Sequence, residues 1–356
     1  MVSNVPVRAG GLIYLSGVAA SHANGDVGAA TRTALDQARL ALAAAGSSLD
    51  QVMSVLILLN AATDFQAMND AYRSFWTNDF PTRTTLVTAL ATPGALVEVS
   101  VIAADAGGDR ALIHPRGWAV SPSPYSYAIQ SGDTVFLSGL VSRTGRDNAA
   151  VTGDIATQTR VILENAGELL AAAGLSHESI VCSKVYLTDT ASFGPMNEMY
   201  RTFFRSAPPA RATVQTKLAG PQYGVEITFV ASSSPRRVVN EGPSPNPNLP
   251  LSPAIVAGGR AYLSGALGFD DSNKGNAGAQ TRETLSRLRR TLAAAGAVPS
   301  DVAEAIVYVT DLSVLPDVDR EYGTFFGTHA PARSTIRSGL MAPDGLVEIV
   351  FTAVKP

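Results

Sequence analysis

The sequence predicts three copies of one domain, each containing helices as well as strands. Three blocks recur in the same order along the chain, and within them apolar residues either alternate or recur at helical spacing. A chain of 356 residues also suits more than one domain, because domains usually contain about 100 to 200 residues. We therefore divide the chain into residues 1–107, 108–234 and 235–356, called copies one, two and three.

The first two blocks predict a strand, a helix and a second strand. The first is an apolar strand that ends in Leu-Ser-Gly, at residues 15–17, 137–139 and 263–265. The second is an amphipathic helix that begins with Thr-Arg and ends 15 residues later at a glycine (Gly46, Gly174 and Gly296), which predicts a left-handed stop. The β-branched, alternating runs that follow, 52–59, 180–187 and 302–309, predict a strand.

A second helix carries an aromatic cluster in each copy. The rings are spaced i, i+3 and i+4, which places them on one face of the helix, and such a face is usually packed in a core. We therefore interpret them as core residues and not as a ligand site. They are Tyr72, Phe75 and Trp76 in copy one, Tyr200, Phe203 and Phe204 in copy two, and Tyr322, Phe325 and Phe326 in copy three.

The third block combines an arginine with a glutamate. The arginine of Pro-x-Arg precedes the glutamate of a Val-Glu strand by 15 residues in every copy, so both belong to one rigid unit. If the carboxylate is buried among the apolar strand residues, it needs a partner or a raised pKa. The alternative is that it points to the solvated face of the strand. The arginine either binds a small carboxylate with both prongs or braces the domain by pairing with glutamate. The combinations are Arg83 with Glu98, Arg211 with Glu226, and Arg333 with Glu348.

Two segments rich in Pro, Gly and Ser separate the copies, at residues 106–124 and 232–250. Each contains a short apolar island, at residues 111–113 and 238–239. We interpret each segment as a linker plus the opening strand of the next copy. Copy one begins almost at its Leu-Ser-Gly strand, so we expect it to lack this leader strand.

Composition limits the functional classes. Hydrophobic residues make up 46% and charged residues 16%, which is typical of a globular chain. Lys and Arg total 27 against 30 Asp and Glu, without a long run of one sign, so we expect no nucleic-acid partner. The sequence has neither the apolar core of a signal peptide nor a run long enough to span a membrane, which predicts a cytoplasmic protein without a membrane partner.

Cysteine and histidine usage predicts no disulfide and no metal site. The single cysteine, Cys182, lies in an apolar run and is expected to be a buried structural thiol. The histidines are scattered through turns and linkers without ligand spacing. They are His22, His114, His177 and His329.

Together, these motifs resemble the Rid family, the reactive intermediate deaminases formerly called YjgF. The resemblance rests on Leu-Ser-Gly, the helix ending Ala-Ala-Gly, the Asn and Tyr at 69–72 and 197–200, Pro-x-Arg-x-Thr and Val-Glu-Ile. It covers almost the whole chain, three times. It implies an α+β fold of three fused Rid-like (chorismate-mutase-like) domains, each a mixed β-sheet with two helices on one face. Because the family normally forms homotrimers with clefts between subunits, we expect a single-chain pseudo-trimer, as a monomer or a low-order homo-oligomer.

The resemblance also implies roles for individual residues. The arginine would bind a substrate carboxylate, and the glutamate would position water or a proton. The candidate catalytic residues are Arg83, Arg211, Arg333, Glu98, Glu226 and Glu348. The candidate substrate-binding residues are Ser16, Asn69 and Thr85 in copy one, Tyr125, Ser138, Asn197 and Thr213 in copy two, and Ser264 and Thr335 in copy three. Copy two retains the most of this pocket, so Arg211 is expected to matter most.

The copies depart from the family pattern at several positions. Leu251 in copy three and Ser3 in copy one stand where copy two has Tyr125, and Asp319 replaces the asparagine of copy three. Each copy also has threonine where the best-known deaminases carry cysteine, which argues against a thiol-dependent role. The three clefts are therefore not expected to be equivalent.

Three functions remain open at this point. The first is hydrolysis of an enamine or imine derived from an amino acid, which releases ammonia and a 2-keto acid from a carboxylate-bearing substrate without a cofactor. The second is a chorismatase-like hydrolase, since chorismatases have a similar length and a Rid-like pseudo-trimer; Arg333 and Glu348 would then be the natural candidates. The third is a non-catalytic small-molecule binder or scaffold, which the residues lost from copies one and three favour.

Overall fold

Each copy of the repeat folds into a mixed β-sheet with two helices on one face, as seen in a computed structural model that describes residues 5–240 and 248–355. In every sheet one pair of neighbouring strands runs parallel, and the other pairs run antiparallel. The α+β fold of three repeated domains that the resemblance implied is confirmed.

The elements recur in the same order in the three copies. Copy one contains β1 (Val7–Ala9), β2 (Leu12–Ala20), α1 (Val27–Ala44), β3 (Val52–Leu59), α2 (Phe65–Arg73), β4 (Thr82–Val87) and β5 (Val97–Ala104). Copy two contains β6 (Ala111–Ile113), β7 (Ala128–Ser131), β8 (Thr134–Leu137), α3 (Ile155–Ala172), β9 (Ile180–Leu187), α4 (Phe193–Phe203), β10 (Ala210–Gln215), β11 (Lys217–Leu218) and β12 (Val225–Ser232). Copy three contains β13 (Arg237–Val239), β14 (Ala254–Ala257), β15 (Arg260–Leu263), β16 (Ala266–Leu267), α5 (Ala277–Ala295), β17 (Val302–Val309), α6 (Leu315–Phe326), β18 (Ala332–Arg337), β19 (Gly339–Leu340) and β20 (Val347–Val354).

The sheets borrow edge strands from one another. Their orders are β1-β2-β5-β3-β4-β11, β19-β10-β9-β12-β8-β7-β6 and β13-β14-β15-β20-β17-β18, with β16 on β20. Thus β11 of copy two completes the sheet of copy one, and β19 of copy three completes the sheet of copy two. Such shared edges hold neighbouring copies together, because the short edge strand of one copy forms its backbone hydrogen bonds with a strand of the other.

The first long helix of each copy begins four residues before the predicted Thr-Arg. Side chains of Asp26, Asp154 and Asn276 accept a hydrogen bond from the first turn, and this capping sets the earlier start. The glycines at the other end have φ values of +82°, +72° and +84°, which confirms the left-handed stop. None of the helices within residues 5–240 and 248–355 is long and apolar enough to cross a membrane.

The predicted strands are confirmed, with one exception in copy one. The apolar islands of the two linkers form β6 and β13, as expected for opening strands. In copies two and three the Leu-Ser-Gly strand ends at its leucine, whereas in copy one β2 continues to Ala20 through a bulge between Leu15 and Val18. The described part of copy one begins with the hairpin β1-β2, which corresponds to β7-β8 and β14-β15.

Three separate cores lie between the helices and the sheets, and further apolar clusters lie between the sheets. The aromatic residues Tyr72, Tyr200 and Tyr322 are buried in the first set of cores, which confirms their packing role. On the opposite sheet faces, Leu58, Tyr186 and Tyr308 from the three copies belong to a single cluster. Cys182 is buried in a separate, smaller cluster between copies two and three, and burial raises the pKa of its thiol to about 11.

Candidate functional site

The recurring arginine and the recurring glutamate meet across the boundaries between copies. Glu226 of copy two faces Arg83 of copy one (cleft I), Glu348 faces Arg211 of copy two (cleft II), and Glu98 faces Arg333 of copy three (cleft III). The arginine and glutamate of the same copy, 15 residues apart, therefore serve different clefts. This arrangement corrects the sequence-based grouping of Tyr125 and Ser138 with Arg211, and it separates Arg333 from Glu348.

Serine and glycine of the Leu-Ser-Gly motif attach each arginine strand to the next copy. In cleft I, the Arg83 backbone N–H donates to Ser138 Oγ at 2.9 Å, and the Gly139 N–H donates to the Arg83 carbonyl at 3.0 Å. Ser138 Oγ in turn donates to the Ser126 carbonyl at 2.7 Å. Because its single proton is used there, Ser138 positions the arginine strand and has no donor left for a substrate.

Cleft II repeats these contacts, and cleft III does not. The Arg211 N–H donates to Ser264 Oγ at 2.8 Å, and Ser264 Oγ donates to the Ser252 carbonyl at 2.6 Å. In cleft III the Gly17 N–H donates instead to Ser100 Oγ at 3.1 Å. Ser16 lines a small cavity of about 40 Å³ at the centre of the three sheets. The continuous strand β2 therefore gives cleft III a different backbone arrangement.

Glycine is required where the backbone passes the glutamate. A Cβ atom on Gly139 would lie 1.8 Å from Glu226 Oε1, and one on Gly265 would lie 1.8 Å from Glu348 Oε1. These distances are far shorter than any real contact, so only glycine lets the carboxyl group occupy this place. The serine of the Ser-Gly pair thus positions the arginine strand, and the glycine leaves room for the carboxyl group.

All three glutamates are buried, which excludes the solvent-facing alternative left open by the sequence. Their exposed fractions are 4% for Glu98, 7% for Glu226 and 4% for Glu348. Burial raises the pKa to about 7 for Glu98 and to about 8 for Glu226 and Glu348, against the partial opposition of the facing arginine. At neutral pH Glu226 and Glu348 are therefore mainly protonated and can donate a proton.

The three arginines are buried but differ in their partners. Arg333 forms an ion pair with Asp319 at 2.7 Å, whereas Arg211 donates from Nη2 to Asn197 Oδ1 at 2.6 Å. Among the described residues, Arg83 has no ion-pair partner, and its Nη1 has no hydrogen-bond acceptor. Asn69, at the position of Asn197 in copy one, likewise leaves its Oδ1 unpaired. Arg211 also leaves its Nε and Nη1 unpaired, so what sets Arg83 apart is that its guanidinium takes part in no hydrogen bond or ion pair with the described residues.

Three aromatic rings surround Arg83, and two of them, Phe65 and Tyr125, also line cleft I. The guanidinium carbon lies 5.0 Å from the ring centre of Tyr72, 5.6 Å from that of Phe65 and 5.9 Å from that of Tyr125. These rings hold the guanidinium by cation–π contacts while leaving its N–H groups unused. Next to it is an open cavity of about 120 Å³, which is also lined by Thr85 and Glu226.

The tyrosine and threonine candidates are distributed unevenly among the clefts. Tyr125 of copy two belongs to cleft I, and Leu251 takes its place at cleft II. The residues that follow them show this correspondence, because the Ser126 N–H donates to the Pro81 carbonyl and the Ser252 N–H donates to the Pro209 carbonyl. Ser3, the counterpart in copy one, lies outside the described residues. The hydroxyl groups of Thr85, Thr213 and Thr335 are buried, and within the described part of the chain they have no hydrogen-bond partner. Thr85 is the one that lines the cavity of cleft I.

The sequence-based candidates omit several residues that line cleft I. Among them are Phe65, Arg143 and Tyr223. The repeat gave no signal for the last two, because Arg143 corresponds to Ser21 and Phe269, and Tyr223 corresponds to Ala95 and Gly345, when counted from the Leu-Ser-Gly glycine and the Val-Glu glutamate. Residues that occur in one copy alone are invisible to an argument from recurrence.

Comparison with known proteins agrees with the threefold repeat. The family model described as "Endoribonuclease L-PSP" matches residues 3–105, 119–233 and 242–355. A "RutC family protein" of Sulfurisphaera tokodaii is 38% identical over 109 residues, which cover 31% of this chain and 87% of that protein. The "2-iminobutanoate/2-iminopropanoate deaminase" of Mus musculus is 36% identical over 112 residues, which cover 32% of this chain and 83% of that protein.

One solved structure resembles the chain over most of its length. A chorismatase crystal structure aligns with 86% of this chain and 93% of its own, with a TM-score of 0.58 and 16% identity. At this level of identity the likeness is one of fold.

Proposed function

Because the chain belongs to the family described as endoribonuclease L-PSP, with three copies of the family's domain, we propose that it is a cofactor-independent hydrolase of carboxylate-bearing imines or enamines. The observation that carries this proposal is cleft I, where the free guanidinium of Arg83 and the buried carboxyl group of Glu226 line one open cavity. The relative named 2-iminobutanoate/2-iminopropanoate deaminase supports the reaction class.

Arg83 is suited to hold the substrate carboxylate. Its burial removes competing water, and its unpaired N–H groups can form the two-pronged contact that guanidinium makes with carboxylate. Burial lowers the pKa of Arg83, yet arginine remains charged at neutral pH. A bound carboxylate would therefore neutralise a charge that no acidic side chain of the described residues pairs with in cleft I.

Glu226 is suited to move the proton. In its protonated form it can donate to the enamine carbon, which leaves an iminium ion and a Glu226 carboxylate. That carboxylate can then take a proton from the water that attacks the imine carbon, which regenerates the acid. Collapse of the resulting carbinolamine releases ammonia and leaves the 2-keto acid, so the net reaction consumes one water and no cofactor.

We further propose that the three copies of one chain form the pseudo-trimer that the family resemblance implies. Contacts among all three sheets and the shared edge strands support this arrangement. Light scattering should then give the mass of one chain or of a small multiple of it. Three chains that each contribute a single cleft interface would contradict the proposal.

The test of the activity is ammonia release from 2-iminobutanoate, generated in place from an amino acid by a coupled oxidase. We expect catalysed release by the unchanged chain and none above background when Arg83, Arg211 and Arg333 are all replaced by alanine. Release that survives the triple replacement would place the activity elsewhere. Absence of release from the unchanged chain, with chorismate hydrolysed instead, would favour a chorismatase-like hydrolase, and inactivity on both would favour a binder or scaffold.

A further inference from the structure

Cleft I contains a second guanidinium group, which belongs to Arg143. This residue follows β8 and lines the same cavity as Arg83 and Glu226. Its backbone is fixed, because the Arg143 carbonyl accepts a hydrogen bond from Asn165 Nδ2 at 2.6 Å and the residue pairs with Ala150 in an isolated β-bridge. Arg143 is thus held at the cavity wall and does not extend freely into solvent.

Among the described residues, only Tyr223 holds the side chain of Arg143, through the Nε atom and a ring contact. Its Nε donates to the Tyr223 hydroxyl at 2.5 Å, and its guanidinium carbon lies 5.3 Å from the centre of the Tyr223 ring. In the part of the chain that the structure describes, no acidic side chain forms an ion pair with it. The two Nη groups, which form the prongs of the guanidinium, are therefore available to an anion.

The charges around the cavity favour a substrate with two negative groups. Arg83 and Arg143 both contribute a positive charge, while Glu226 is mainly protonated at neutral pH because burial raises its pKa to about 8. The acidic residues that line the outer pocket beside Arg143 have other partners: Glu164 pairs with Arg160, Glu168 accepts from Trp118 Nε1, and Asp147 accepts from the Thr144 hydroxyl and the Ala149 N–H. One carboxylate would neutralise only one of the two guanidinium groups.

The second guanidinium distinguishes cleft I from the other two. Phe269 corresponds to Arg143 on the copy-three side of cleft II, and Ser21 corresponds to it on the copy-one side of cleft III. Tyr223, which holds Arg143, is replaced by Gly345 and Ala95. Both members of this pair are thus specific to copy two, as expected for a specificity device and not for a general feature of the fold.

We propose that Arg143 binds a second acidic group of the substrate, so that cleft I prefers 2-imino dicarboxylates, the class derived from acidic amino acids. This inference rests on the proposed function, in which Arg83 binds the first carboxylate. Arg143 is a specificity residue in this scheme, since the proton transfers take place at Glu226.

The experiment compares 2-oxobutanoate with 2-oxoglutarate, the keto-acid products of a monocarboxylate and a dicarboxylate imine. Calorimetry on the full chain should show tighter binding of 2-oxoglutarate. Arg143→Ala should weaken 2-oxoglutarate at least about tenfold while leaving 2-oxobutanoate nearly unchanged, because a charge-assisted contact is lost for one ligand only. Turnover of the two corresponding imines should change in the same proportion, through KM.

Two further variants separate recognition from folding. Arg146→Ala removes an equal charge from an exposed residue of the same loop and should affect neither ligand. Tyr223→Phe removes the hydrogen bond to Nε without removing a charge, so it should reduce the preference only in part.

Equal binding of the two acids by the unchanged chain, or equal weakening of both by Arg143→Ala, would overturn the inference while 2-iminobutanoate turnover still supported the proposed function. If the unchanged chain turned over neither imine, the proposed function and this inference would both be overturned.

Discussion

Clefts I and III are made from the same repeated sequence, yet the arginine of cleft III has an ion-pair partner and the arginine of cleft I has none among the described residues. Arg333 of cleft III pairs with Asp319 at 2.7 Å, so its charge is already neutralised inside its own copy. Arg83 of cleft I has Asn69 at the corresponding position and no acidic partner among the described residues. We therefore expect one residue on the second helix of each copy, asparagine or aspartate, to decide whether its arginine can accept a substrate carboxylate.

Cleft II lies between these extremes. Arg211 is oriented by the neutral amide of Asn197 and keeps its charge, but Leu251 stands where cleft I has Tyr125. Burial lowers the pKa of Arg211 to about 10, so it remains charged at neutral pH. We therefore expect the clefts to rank I, II and III in their capacity for anionic substrates.

The largest difference between the clefts should appear when the glutamates are changed. Glu226→Gln keeps the shape of the side chain but cannot release and regain a proton, so turnover of 2-iminobutanoate should fall about 100- to 10,000-fold. Glu98→Gln, the matched change in cleft III, should leave turnover nearly unchanged. If the two variants lost activity equally, with melting temperatures retained, cleft I would not be the principal site.

Recurrence in the sequence was sufficient to predict the fold of each copy. The strands 52–59, 180–187 and 302–309 have the predicted bounds, since alternation and the closing glycine of the preceding helix are local signals. The recurrence also identified Arg83 and Glu226 as candidates. It did not show that they face each other, because the pairing depends on how the copies pack and not on spacing within one copy.

The remaining features of the site had no local signal. Tyr125 and Ser138 were grouped with Arg211 because they share copy two, whereas shared edge strands and the Ser138 contact place them against Arg83. Arg143 was overlooked because nothing in the other copies matches it. The clefts differ at the positions where the copies have diverged. Recurrence in the sequence therefore predicts the shared fold but not the residues that distinguish one cleft from another.

The next largest effect should come from the arginines. Arg83→Lys keeps the positive charge but loses the two-pronged geometry, so we expect it to weaken substrate binding nearly as much as Arg83→Ala, by roughly 2 to 5 kcal/mol. Values of kcat/KM on 2-iminobutanoate would measure this loss. Arg211→Ala should have a smaller effect and Arg333→Ala the smallest. Equal losses at all three positions, each with lowered thermal stability, would identify the arginines as structural braces.

Cleft III offers a gain-of-binding test of the same comparison. Asp319→Asn restores the residue type found in copies one and two, and it releases Arg333 from its ion pair. We expect 2-oxobutanoate to bind cleft III about tenfold more tightly, which corresponds to about 1.4 kcal/mol, and to be seen as an additional site by calorimetry. Asp317→Asn, which removes an exposed ion pair with Arg320 on the same helix, is the control. An unchanged number of sites in the Asp319 variant would show that its carboxylate does not decide the state of Arg333.

The last expected effect is on stability and depends on pH. Burial raises the pKa of Glu226 from 4.5 to about 8, and that of Glu98 to about 7. Between the lower and the higher value the folded protein binds more protons than the unfolded chain, so its free energy of unfolding falls as pH rises, by at most about 1.4 kcal/mol per pH unit for one group. Glutamine does not titrate, and the variants therefore lack this decline. Denaturant unfolding from about pH 5 to about pH 9 should show a flatter pH dependence for Glu226→Gln than for the unchanged chain. Glu98→Gln should flatten it less, because its window closes about one pH unit earlier. Identical slopes for the unchanged chain and both variants would mean that these carboxyl groups ionise in the folded protein as they do in the unfolded chain, and the proton-donor role of Glu226 would lose its physical basis.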